Sequence, residues 1–201
     1  MPRLFFAIEL PEKARNEALR TAETMRASAG KPGGLPAAVR WLPEEHYHLT
    51  LKFLGEFPAD RIPELLMRAW SRLARSEPFT AELAGVGAFP STRDARVLWL
   101  GLGRGQAEFA RIARKLDSAA GRFGVKRDPR PFRAHLSIAR LRDPDEIPLD
   151  QLLGPDSMPF SVAEVVLYES RLSPAGASYF PLNRLPLGQP KDPLIEFVPD
   201  F

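Results

Sequence analysis

The chain has 201 residues, 44% of them apolar and 26% charged, which suits a soluble globular protein able to bury a substantial core. It contains no cysteine, so disulfides, thiolate catalysis and thiolate metal sites are excluded together. A net charge of +3 is too small to mark a general polyanion binder, and no apolar run approaches the length of a membrane span.

Residues 3–10 read as a buried strand, a short apolar run stopped by Pro11. The run is broken by Glu9 and leads into a charged segment, so no secretory signal and a cytoplasmic location are expected. Residues 11–28 read as a helix, with Pro11 and Glu12 in its first turn and Gly30 as its stop. A Pro- and Gly-rich loop follows over 31–36, then a short strand over 39–42 and a strand from His48 to about Leu54. Residues 59–75 give a second helix, with Ile62, Leu65, Leu66, Ala69 and Leu73 on one stripe. Pro78-Phe79 opens another strand that runs toward Gly85, Gly87 and Pro90.

The order then repeats. Val97-Leu98-Trp99-Leu100 is an apolar strand, and residues 106–120 form an amphipathic helix with Phe109, Ile112, Ala113 and Leu116 inward. A strand at His135 comes next, then a short helix near 149–153. Pro159-Phe160-Ser161 opens a strand that mirrors Pro78-Phe79-Thr80, residues 179–187 add a last strand expected to pair near the first, and a tail follows. This repetition predicts one α+β domain over 1–201, built as a bilobal duplicated fold with pseudo-twofold symmetry. Two antiparallel sheets would line a central cleft, with helices packed outside.

Two tetrads carry the chemistry: His48-Leu49-Thr50-Leu51 and His135-Leu136-Ser137-Ile138. Strand alternation puts each histidine on the same face as the hydroxyl two residues on, and the leucines on the other. A lone strand histidine is ordinarily a hydrogen-bonded structural residue; a repeated His-x-Thr/Ser in matched settings is not. Imidazole titrates near neutrality, so two of them on opposite sides of a phosphorus can divide an in-line displacement. One removes a proton from the attacking oxygen and the other protonates the leaving oxygen, while the hydroxyls donate to the non-bridging oxygens. Arg122, Lys126, Arg127, Arg130, Arg133, Arg140 and Arg142 crowd the second tetrad with only Asp128 against them, a local field suited to an anionic substrate. Two other readings stand beside this one: a module that binds RNA or a nucleotide without turnover, and a metallohydrolase using His46, His48 and His135.

The tetrads with their flanks resemble the 2H phosphoesterase superfamily and, within it, the RNA 2′,3′-cyclic phosphodiesterases, also called 2′-5′ RNA ligases. The likeness lies in Arg3-Leu4-Phe5-Phe6-Ala7-Ile8, in the stretch from His46 to Gly55, in Arg96-Val97-Leu98-Trp99-Leu100-Gly101 and in the stretch from Arg130 to Arg140. It implies metal-independent hydrolysis of RNA 2′,3′-cyclic phosphodiester ends to 2′-phosphomonoesters without a cofactor, with weak reversible 2′-5′ ligation. It implies His48 as proton donor, His135 as proton acceptor, Thr50 and Ser137 on the phosphate, Phe53 on base or ribose, and Arg140 neutralising charge. The expected partners are RNA ends or nucleoside 2′,3′-cyclic phosphates, met by a monomer with no membrane. Ala134 stands where the family commonly has proline. Phe53 and Arg140 lie five residues after their histidines, the wrong parity for an ideal strand, so a bulge is needed to bring them to the site face.

Overall fold

A computed structural model describes residues 1–174 and 176–188. Its elements follow in chain order: β1 (Arg3–Glu9), α1 (Glu12–Ser28), β2 (Val39–Trp41), β3 (His48–Glu56), α2 (Ile62–Leu73), β4 (Phe79–Pro90), β5 (Ala95–Arg104), α3 (Gln106–Ala120), β6 (Leu136–Asp145), β7 (Met158–Val162), β8 (Glu164–Ser173) and β9 (Gly176–Pro186). The strands form one antiparallel sheet in the order β7-β4-β5-β6-β3-β1-β8-β9, with β2 also paired to β6. The repetition in the sequence predicts two sheets; the hydrogen-bonded path is instead continuous, because β3 and β6 meet at the pair Leu49–Leu136.

The strand order reads the same from both ends if β3 is matched with β6, β1 with β5, and β8 with β4. Two expectations change with it. The Pro-Phe strands do not mirror each other: β7 pairs directly with β4, Phe79 opposite Val162 and Ala81 opposite Phe160. The final strand β9 lies one place further out than expected, paired to β8, which occupies the place beside β1. The tail expected after residue 187 falls almost entirely outside the described residues.

The helices hold to one side of the sheet. α1 turns Ala14, Ala18, Ala22 and Met25 inward at helical spacing, α2 turns in Leu65, Leu66, Ala69 and Leu73, and α3 turns in Phe109, Ile112, Ala113 and Leu116. They close over Leu4, Phe6 and Ile8 of β1, Leu49 of β3 and Leu136 of β6 in one core. Burial of this apolar area is the main favourable contribution to folding. The opposite face of β1 carries a smaller apolar cluster of Phe5, Ala7, Val166 and Tyr168, against which Tyr179 packs. β1 is therefore buried on both faces, and its second face forms part of the floor beneath the two tetrads.

Candidate active site

The site lies at the junction of β3 and β6. Leu49 and Leu136 pair across it and point into the helix-covered core, both with no exposed surface. Antiparallel register then sets His48 opposite Ser137 and Thr50 opposite His135, all four on the other face. Directly opposed side chains have Cβ atoms about 4.5–5.5 Å apart. The fold thus draws two distant stretches of the chain into one square of two imidazoles and two hydroxyls.

Each imidazole meets the backbone two residues before it. His135 Nδ1 lies 2.7 Å from the Arg133 carbonyl oxygen. A carbonyl can only accept, so Nδ1 carries the proton and Nε2 keeps its lone pair. The His48 ring also interacts with the His46 backbone, again two residues back. Aromatic rings wall both. The Tyr179 ring meets His48 edge-on with centroids 5.1 Å apart, and Phe5 lies 5.0 Å from it. Phe89 meets His135 edge-on at 4.8 Å, with Trp99 at 6.2 Å.

Burial pushes the His48 pKa down to about 4, and repulsion from His46 and His135 adds to this against the bond to His46. Burial also lowers His135, helped by the nearby Arg133 and Arg140 charges. Both rings are therefore neutral in the free protein at neutral pH. The unfolded chain takes up a proton on His48 near its ordinary value, while the folded chain resists until about pH 4. Stability is thus full above about pH 6.5 and lost as pH falls toward 4, by about 2 kcal/mol once the residual exposure of the ring is allowed for. Urea titrations at pH 7 and pH 5 should show a smaller acid loss in His48→Asn than in wild type; an equal loss would mean that burial does not depress this histidine.

The bulges required for Phe53 and Arg140 are present. The β1–β3 register slips between Phe6–Lys52 and Ala7–Thr50, leaving Leu51 as an extra residue. Thr50 and Phe53 consequently pair with Ala7 and Phe5 on one face, while Lys52 turns to the helices and bonds Asp117 of α3 at 2.6 Å. The β5–β6 register slips at the equivalent place, leaving Ile138 extra, so Ser137 and Arg140 face the same way opposite Trp99 and Val97. Each bulge sits three residues after its histidine. Phe53 stands 68% exposed beside Phe5, with ring centroids 5.9 Å apart.

The basic cluster divides. Arg130 pairs with Asp128, while Arg127 shares Asp117 with Lys52. Arg133 lies over the Trp99 ring at 4.3 Å, and Arg140 acts on His135 electrostatically. His46 does not extend the β3 strand toward His48; it closes a 3₁₀ turn over Glu44–His46 that follows Pro43. Among the described residues, no three His, Asp or Glu side chains converge as metal ligands would, so the set of His46, His48 and His135 does not assemble.

A family model described as "LigT like Phosphoesterase" matches residues 8–99 and 102–179. The chain belongs to that family. Among its curated relatives, the RNA 2′,3′-cyclic phosphodiesterase of Thermus thermophilus is 34% identical over 92% of this chain and 90% of its own. The Escherichia coli RNA 2′,3′-cyclic phosphodiesterase is 32% identical over 93% of this chain and 97% of its own. A crystal structure of Escherichia coli LigT complexed with 3′-AMP superposes with a TM-score of 0.76 at 32% identity, covering 94% of this chain and 99% of that one.

The walls of this LigT-like site are not evident from the sequence. At strand spacing Phe5, Phe89 and Trp99 read as core residues; Phe5 and Trp99 are indeed buried, and all three, like Tyr179, also turn a ring toward a histidine. The available signal is the strand parity of Phe5 and Ala7, which alternate with the apolar positions facing the helices. No motif singles out Arg40 of β2 either; it lies directly opposite Arg140.

Proposed function

We propose that the protein hydrolyses RNA 2′,3′-cyclic phosphodiester ends to 2′-phosphomonoesters, without a metal, using His135 as base and His48 as acid. The observation that carries this reading is the square at the β3–β6 junction, in which two imidazoles, His135 with a free Nε2, face one space lined by two hydroxyls. His135 takes a proton from water as its oxygen bonds to phosphorus, and the bond to the 3′ oxygen breaks as His48 delivers a proton there. Thr50 and Ser137 donate to the non-bridging oxygens, where negative charge gathers. Since His48 is neutral in the free protein, it must gain its proton as the phosphodiester anion arrives, which favours the imidazolium. Arg140 adds positive charge beside the phosphate, and Phe53 offers an exposed face to the base or ribose. The reverse step, joining RNA ends through a 2′-5′ bond, follows by microscopic reversibility and is weak.

The palindromic strand order and the two equivalent bulges support a duplicated, two-lobed domain with the cleft on its pseudo-twofold axis. The protein acts on RNA ends in the cytoplasm as a monomer. Among the described residues, no helix is long and apolar enough to cross a membrane.

The test is an assay of purified protein against nucleoside 2′,3′- and 3′,5′-cyclic phosphates, with and without EDTA, with product identification. The expected result is a 2′-monophosphate from the 2′,3′-cyclic substrate alone, at a rate indifferent to EDTA. Binding without product would instead favour a non-catalytic nucleotide-binding module. Loss of activity in EDTA would restore the metallohydrolase reading.

A further inference from the structure

β2 lies along β6 where β3 has left it, and the register sets Arg40 directly opposite Arg140. Opposed residues of an antiparallel pair share a face, so Arg40 points to the same side as Arg140, Ser137 and His135. Like charges directly opposed across a ladder repel and destabilise it. What sets this pair apart is the register that faces two guanidiniums across one ladder. Neither Arg40 nor Arg140 has an ion-pair partner among the described residues, and both are exposed.

The second observation concerns the β8–β9 hairpin. It curls over the site face, bringing Tyr179 against His46 and His48. At its turn, Gly176 has φ +131°, and a Cβ there would stand 3.4 Å from the Arg40 guanidinium. A backbone region that L side chains rarely adopt lets the hairpin come down beside the arginine. The exposed guanidinium therefore lies beside the hairpin turn, on the same face of β6 as the catalytic square. The step along β6 from Ser137 to Arg140 is about 7–10 Å at roughly 3.3 Å per residue, the scale of one nucleotide in an extended strand.

We propose that Arg40, opposite Arg140, holds a second phosphate, the phosphodiester on the 5′ side of the terminal nucleotide, so that the preferred substrate is an oligonucleotide end. This rests on the cyclic-phosphate reading above and narrows it. The unneutralised Arg40 guanidinium offers a fork of donors to that phosphate's oxygens, and the bound anion relieves its repulsion with Arg140, which stays beside the reacting phosphate. A nucleoside 2′,3′-cyclic phosphate fills the square but leaves this site empty.

The experiment compares wild type, Arg40→Gln and Arg40→Lys on a nucleoside 2′,3′-cyclic phosphate and on a dinucleotide ending in the same group. Wild type should prefer the dinucleotide in kcat/KM by tenfold or more. Arg40→Gln should remove most of that preference, mainly through KM, and Arg40→Lys should restore part of it. The dependence of dinucleotide binding on salt should also weaken in Arg40→Gln, the slope of log K against log salt falling by about 0.7 when one fewer phosphate is neutralised. Equal preference in wild type and Arg40→Gln, or no wild-type preference, would overturn the proposal. Anisotropy with labelled mono- and dinucleotide 2′-phosphates reads the same contrast without turnover. If wild type turns over neither substrate, the hydrolase reading fails while the binding arm still decides the role of Arg40.

Discussion

Replacing His135 by asparagine should lower turnover of a nucleoside 2′,3′-cyclic phosphate by about 10²–10⁴-fold, and His48→Ala should do the same. Asparagine at 135 keeps a donor near the Arg133 carbonyl, which His135 now engages at 2.7 Å, but supplies no base. On the proposed mechanism the two rings serve one displacement, so the double variant should fall little below the worse single one; groups that act as a unit are not additive. The readout is kcat by separation of product from substrate, with near-native circular dichroism and thermal midpoint showing that the sheet persists. Both side chains lie on the face of the sheet opposite Leu49 and Leu136, so the helix-covered core is untouched. Full activity in either variant would remove that histidine from the reaction.

The largest loss of stability should come from one methyl group. Gly87 of β4 lies opposite Trp99 of β5, and a Cβ on it would stand 2.0 Å from Cζ2 and 2.2 Å from Cη2 of the indole. The ring has nowhere to go. It is 3% exposed, a Cβ at Gly101 would stand 3.1 Å from its Cζ3, and the Arg133 guanidinium covers it at 4.3 Å. Gly87→Ala must therefore part β4 from β5 or expel the indole. Overpacking of this kind costs about 3 kcal/mol, or a fall in thermal midpoint of roughly 6–12 °C in a domain of this size. Activity should fall as well, because Trp99 and Phe89 both pack on His135. Gly121→Ala is the matched control: nothing lies within 4 Å of its Cβ position and its φ is −58°, so it should be neutral. A thermal midpoint for Gly87→Ala equal to that control would show that the indole is not confined.

Legibility in the sequence depends on whether the signal is local. The helices are largely legible, α3 over Gln106–Ala120 as expected and α2 within three residues at either end, because their stripes and stops lie within one segment. The tetrads are legible because alternation is local too. Pairing partners are not. Nothing local separates β8 from β7, since only Ala163 divides them and neither Gly nor Pro marks the break. That conceals which strand stands beside β1. The rings around the histidines come from β1, β4, β5 and β9, and no spacing rule links Phe5 to Tyr179 or Phe89 to Trp99 across the chain. Arg40 carries no local signal for the same reason: its partner Arg140 is remote in the chain and meets it only through the register of β2 on β6.

The surplus residues Leu51 and Ile138 carry a meaning beyond parity. A bulge bends its strand and tightens the local right-handed twist, and these two sit at matched places on the two central strands. Removing either would restore simple alternation and leave Phe53 or Arg140 on its present side, because the neighbouring pairs would close up by one step. What would disappear is the curl of the sheet around the two tetrads. Curvature and facing are thus specified separately in this molecule, and a shortened strand could keep all its reactive groups yet present them on a surface too flat to embrace a ligand.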